Sequence, residues 1–129
     1  MAGGSARKSI LVVDDDGYVR TLVAKILSQK GYTALPARDA WQAMDILQEQ
    51  SIDLIILDLR MPGPVDGEQL LNALGDQGNE VPIIVLSGWV DDEMVRNPPD
   101  GVHAVLKKPI DIDAFAATVA HVLAQTGSG

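Results

Sequence analysis

Ile10-Leu11-Val12-Val13-Asp14-Asp15-Asp16 is the stretch on which the reading of this chain turns. Four apolar residues without alternation read as a short strand buried on both faces. The run then stops at three carboxylates. Three later runs are built alike. Leu54-Ile55-Ile56-Leu57 ends at Asp58, Ile83-Ile84-Val85-Leu86 ends at Ser87, and Ala104-Val105-Leu106 ends at Lys107-Lys108-Pro109. In a parallel α/β sheet the ligand crevice lies just beyond the carboxyl ends of the strands. The acids, the hydroxyl and the ammonium are therefore expected to meet at one point. Such a set suits Mg²⁺-assisted transfer of a phosphoryl group onto a carboxylate.

Between these runs the apolar period changes to that of a helix. Val19, Leu22, Val23, Ile26 and Leu27 share one face, and Gly31 stops the helix. Residues 33–36 read as a weak edge strand, because Pro36 cannot donate to a ladder. Asp39 followed by Gln42 resembles a capping box for a helix through Met44, Ile46 and Leu47. A third helix starts near Asp66 with Leu70, Leu71 and Leu74 on one face. Residues 81–86 form the fourth strand. Residues 91–96 allow one or two helical turns before Asn97-Pro98-Pro99-Asp100-Gly101 ends them. Residues 102–107 form a fifth strand, and Asp111 caps a last helix with Phe115, Val119 and Val122 inward. Strict β-α alternation implies a parallel sheet with helices on both faces and a short or disordered fourth helix.

The chain has 129 residues, which suits one core, and 47% of them are hydrophobic, too many for a disordered chain. No apolar run approaches the roughly 20 residues of a membrane helix. Residues 1–8 read as a flexible leader without a signal-peptide core, residues 9–125 as the domain and residues 126–129 as a flexible tail. There is no cysteine, hence no disulfide framework and no thiolate metal site. A net charge of −8 with scattered Lys and Arg argues against nucleic-acid binding. Part of that charge is expected at Asp14, Asp15, Asp16 and Asp58, where a divalent cation would relieve the repulsion.

The pieces Leu11-Val12-Val13-Asp14-Asp15-Asp16, Leu57-Asp58-Leu59-Arg60-Met61-Pro62, Asp66-Gly67, Leu86-Ser87-Gly88 and Lys108-Pro109, in this order and spacing, resemble the receiver domain of two-component response regulators. The resemblance runs from about Ser9 to Leu123. It implies a flavodoxin-like doubly wound sheet of strand order 2-1-3-4-5. It also implies that Asp58 accepts the phosphoryl group from a sensor histidine kinase or histidine phosphotransfer protein. Asp15, Asp58 and the backbone carbonyl of Arg60 would hold Mg²⁺, with Asp14 acting partly through water. Ser87 and Lys108 would bond phosphoryl oxygens, and the Lys108–Pro109 bond would be cis. Arg60 and Trp89 would tune phosphate lifetime, Trp89 by screening it from water and Arg60 by pairing with it. Asp16 reads as the N-cap of helix one. His103 and His121 read as ordinary surface or partly packed histidines, and Trp41, Met44 and Met94 as packing residues.

Three features depart from the family pattern. The loop from Met61 to Gly67 is one residue longer than the family's common form. Val105 stands where many receivers carry an aromatic switch residue. Pro98 and Pro99 curtail helix four, which suggests a segment, 88–101, that phosphorylation would order. The implied role is a cytoplasmic signalling switch with an unidentified downstream protein target, acting on neither nucleic acid nor membrane, that catalyses only its own modification. Two other readings stand beside it. One is an aspartyl-phosphate phosphohydrolase built on Asp14 and Asp16. The other is an interaction module that is never phosphorylated.

Overall fold

The computed structural model describes residues 7–60 and 66–126. Its elements are β1 (Ser9–Val13), α1 (Gly17–Gln29), β2 (Thr33–Ala37), α2 (Ala40–Glu49), β3 (Leu54–Leu57), α3 (Gly67–Asp76), β4 (Ile83–Ser87), α4 (Asp92–Arg96), β5 (Val102–Lys107) and α5 (Ile112–Thr126). The strands form one parallel sheet in the order β2-β1-β3-β4-β5.

Alternate residues of the central strands feed two cores. Ile10, Val12, Leu54, Ile56, Ile84 and Leu86 meet α1 and α5 through Val23, Ile26, Leu27, Phe115 and Val119. Leu11, Val13, Ile55, Leu57, Ile83 and Val85 meet α2 and α3 through Ala40, Ala43, Leu70 and Leu74. Burial on both faces is what the unbroken apolar runs encode. At roughly 1.5–3 kcal/mol for each fully buried aliphatic side chain, these two layers supply most of the drive to fold.

Aspartate caps every helix. Asp16, Asp39, Asp66 and Asp91 each accept from backbone amides of the first turn, and Asp111 accepts from Ala114 N at 3.0 Å. Much of the chain's acidity therefore closes helices, each cap contributing about 1 kcal/mol. The reciprocal capping box belongs to α3, between Asp66 and Gln69. At α2 the Gln42 side chain reaches past Asp39 and accepts from Arg38 N.

Several boundaries differ from the sequence expectation. Strand β4 starts at Ile83 rather than residue 81, because the Asn79 side chain bonds both Val81 N and Val81 O and so replaces the ladder there. Lys8 is tied to the sheet, its carbonyl accepting from Thr33 N at 2.9 Å. His103 lies inside β5, at the register shift where Ile83 and Ile84 face Val102 and Ala104. Trp41 is not a packing residue but 62% exposed, whereas Met44 and Met94 do lie against the core. Helix α4 is short rather than disordered. Asp91 caps it, Lys107 pairs with Asp92 at 3.2 Å, Asn97 bonds Glu93, and Val90 is buried beside it. The long loop expected after Met61, the outer leader (1–6) and the tail from 127 fall outside the described residues.

Candidate functional site

Register places the two buried acids side by side. Val13 pairs with Leu57, so Asp14 and Asp58 are the next residues of adjacent strands. Their backbones are pinned by Asp14 N to Ala37 O at 3.1 Å and Asp58 N to Val13 O at 3.0 Å. Asp14 is 3% and Asp58 5% exposed, which is rare for carboxylates unless they are paired. Lys108 supplies the partner. Its Nζ lies 2.8 Å from Asp14 Oδ2 and 3.0 Å from Asp58 Oδ2. The remaining oxygens are held locally, Asp14 Oδ1 by Asp16 N and Asp58 Oδ1 by Arg60 N.

Asp15 is exposed, yet its carboxylate and those of Asp14 and Asp58 each offer an oxygen within 4.8 Å of the others. Three carboxylates against one ammonium leave two negative charges in one place. A hard divalent cation matches that surplus and takes oxygen donors of this kind. The donor set thus fits Mg²⁺, and Asp14, Asp15, Asp58 and the carbonyl of Arg60 are the groups that would hold it.

Burial, the largest influence, pushes the Asp14 carboxyl above the usual range, against the bonds from Lys108 and Asp16 N that favour its charged form. For Lys108, burial acts to lower the pKa, but hydrogen bonds to Asp14 and Asp58 outweigh it and the group is raised. The sign follows for Asp14. A folded-state carboxyl raised above its unfolded value contributes stability at low pH that is lost as pH rises through the folded pKa. The Asp14→Asn variant should therefore melt higher than wild type at neutral pH in chelator, yet gain less from added MgCl₂. Melting curves in both buffers check this, and a lower midpoint in chelator would contradict it.

The other expected residues are placed as follows. Ser87 is fully buried at the end of β4, its carbonyl accepting from Lys108 N at 3.0 Å and its Oγ from Trp89 N at 3.2 Å. The hydroxyl proton stays available for an oxygen acceptor. The Lys108–Pro109 bond is cis. Arg60 and Trp89, expected to act separately, stack on each other, with the guanidinium 5.0 Å from the indole centroid. Asp16 is spent as the α1 cap, accepting from Tyr18 N and Val19 N. Val105 is buried in the core facing α2 and α3. His103 and His121 are both exposed.

Two residues of the site escaped the sequence reading. Arg20 Nη1 donates to the Asp14 carbonyl at 2.8 Å and fixes the strand end from α1. Gly67 presses on the backbone of Asp58, where a Cβ would come within 1.9 Å of the Asp58 carbonyl oxygen. Helical spacing signals neither, although the Asp66-Gly67 pair was a matching piece.

A family model described as the response regulator receiver domain matches residues 10–120. The chain is a response regulator receiver domain. This receiver is 28% identical over 113 residues to sporulation initiation phosphotransferase F of Bacillus subtilis, covering 87% of this chain and 90% of that one. It is 31% identical to the sensor kinase CckA of Brucella abortus over 92% of its own length but only 13% of the kinase. Among solved structures, the receiver domain of the Francisella response regulator 1452 superposes with a TM-score of 0.85 at 27% identity, covering 93% of this receiver and 99% of that chain. No helix among the described residues is long and apolar enough to cross a membrane.

Proposed function

We propose that this receiver takes a phosphoryl group onto Asp58 from a phosphohistidine, on a sensor histidine kinase or a histidine phosphotransfer protein, in a cytoplasmic relay. The observation that carries the reading is Lys108 Nζ bonded to both Asp14 and Asp58, with Asp15 in reach of the same point. An Asp58 oxygen attacks phosphorus, the P–N bond to the imidazole breaks, and the leaving ring takes a proton. Phosphoryl transfer of this kind asks the protein chiefly for positioning and charge. Bound Mg²⁺ would neutralise charge on the transferred oxygens. Lys108 pairs with one phosphoryl oxygen as a point charge, and the Ser87 hydroxyl donates to another. The modification replaces the single negative charge of a carboxylate with a phosphoryl group of about −2 and three acceptor oxygens, and the regrouping of Lys108 and the Ser87 hydroxyl around it is the signal passed to a downstream protein.

The phosphohydrolase reading needs a second free acid two residues after Asp14. Asp16 is committed to α1 instead, which weighs against that reading. A docking-only module has no use for a lysine bridging two buried acids.

The test is intact mass after treatment with a small acyl phosphate and Mg²⁺. Wild type should gain one phosphoryl group and Asp58→Asn none; equal labelling of both would refute the assignment. The same samples report lifetime. The stacked Arg60–Trp89 pair should shield the acyl phosphate from water, so Trp89→Ala and Arg60→Ala should lose the label faster. Matching half-lives would remove the shielding role.

A further inference from the structure

The basic residues of this chain are unevenly placed along it. From Asp39 to Val95 the only one is Arg60, and twelve of the eighteen acidic residues lie in that span. Arg60 is engaged with Trp89. The span contains α2 and α3, and between these helices runs an apolar groove of about 180 Å³ lined by Ala40, Trp41, Met44, Leu70 and Ala73. Trp41 stands on its rim, 62% exposed. An exposed tryptophan beside an apolar slot is a surface arranged for contact.

Charge says what kind of contact. Asp45 lies one helical turn beyond Trp41, and Asp76 one turn beyond Ala73, so an acid follows the groove on each side. Asp45, Glu49, Glu68 and Asp76 are exposed, and among the described residues no salt bridge reaches any of them. Strict alternation makes α2 and α3 run the same way, so their negative dipole ends lie together. Neither has a basic residue in its last turn, where one would ordinarily offset that dipole. Arg38, the basic residue that precedes α2, sits at the opposite end and is paired with Asp39 at 3.8 Å.

We propose that the α2–α3 groove is a docking site for a cationic amphipathic helix of a partner protein. One apolar anchor would fill the slot between Met44 and Leu70. A Lys or Arg would lie on the Trp41 face, and further basic residues would meet Asp45 and Asp76. This surface belongs to the opposite sheet face from α1 and α5 and is independent of the phosphoryl chemistry at Asp58.

The probe is a synthetic helix of about 14 residues with leucine on one face and lysine on the other, with glutamate replacing lysine in the control. Titration into the ¹⁵N-labelled receiver should move the Trp41 indole and the amides of Ala40, Met44, Leu70 and Ala73. The affinity should fall with salt. Trp41→Ala should weaken it by about tenfold or more, and Trp41→Phe should restore part of the loss. The Asp45→Lys/Asp76→Lys pair should weaken it without touching the slot. Shifts centred on Asp14, Asp15 and Asp58 would overturn the proposal, as would equal binding of the glutamate peptide or indifference to Trp41→Ala. Sedimentation showing a dimer that only Trp41→Ala dissociates would name a second copy as the occupant and overturn it too.

Discussion

Lys108→Ala should slow phosphoryl incorporation at Asp58 by about 10²- to 10³-fold, the loss typical of removing one group aimed at developing charge in a closed site. Two effects combine. The variant lacks the cation that would follow a phosphoryl oxygen, and it leaves Asp14 and Asp58 facing each other without their shared partner. Asp14, already raised by burial, would hold its proton to higher pH still and compete with Mg²⁺. Lys108→Arg should restore little, because a planar guanidinium cannot occupy the point where one ammonium meets two carboxylates at 2.8 and 3.0 Å. The internal control is Lys107→Ala. That side chain is half exposed and pairs only with Asp92 at 3.2 Å, an interaction of less than about 1 kcal/mol. Time courses of labelling by intact mass compare the three variants with wild type. Equal rates for Lys108→Ala and Lys107→Ala would sink the assignment of Lys108.

The contrast between these neighbouring lysines marks how far the sequence could be read. A buried parallel strand announces itself by an unbroken apolar run, so the ends of β1, β3 and β5, and the polar residues just past them, were legible directly. Strand order was not. It came with the family resemblance, since periodicity says nothing about which strands are neighbours. The start of β4 was hidden because Val81 is apolar like the strand it precedes, and only the Asn79 side chain takes its backbone out of the ladder. Trp41 falls on the edge of the α2 stripe, where spacing alone cannot separate a covered indole from an exposed one. The Arg60–Trp89 stack joins residues in the loops that follow β3 and β4, and their separate roles could be expected without the contact between them. Arg20 and Gly67 were missed because each acts from a helix on the backbone at a strand end, a relation that exists only once the elements pack.

Gly67 yields the sharpest test of that last point. It opens α3 directly after the Asp66 cap, and its φ is not in the positive region that would call for glycine. On helix propensity alone, alanine there should add up to about 1 kcal/mol. Packing reverses the sign. A Cβ would stand 1.9 Å from the Asp58 carbonyl oxygen, 2.7 Å from Leu59 Cα and 2.8 Å from the Asp58 carbonyl carbon. All three are backbone atoms, so no side chain can swing aside. Either α3 lifts from the sheet, giving up contacts of the buried Leu70 and Leu74, or the strand end carrying Asp58 shifts relative to Lys108. Gly67→Ala should therefore destabilise by about 3 kcal/mol, the upper end of the range for overpacking. Labelling of the folded fraction should also slow, because Asp58 and Lys108 no longer meet at the native distance. Gly75→Ala supplies the comparison within the same helix. A Cβ there meets nothing within 4 Å, so propensity acts unopposed and stability should rise by about 0.5–1 kcal/mol. Urea unfolding of both variants at equal m-value decides the matter. Two shifts of the same sign would mean that α3 yields freely, and that the close approach does not hold the Asp58 strand end in place.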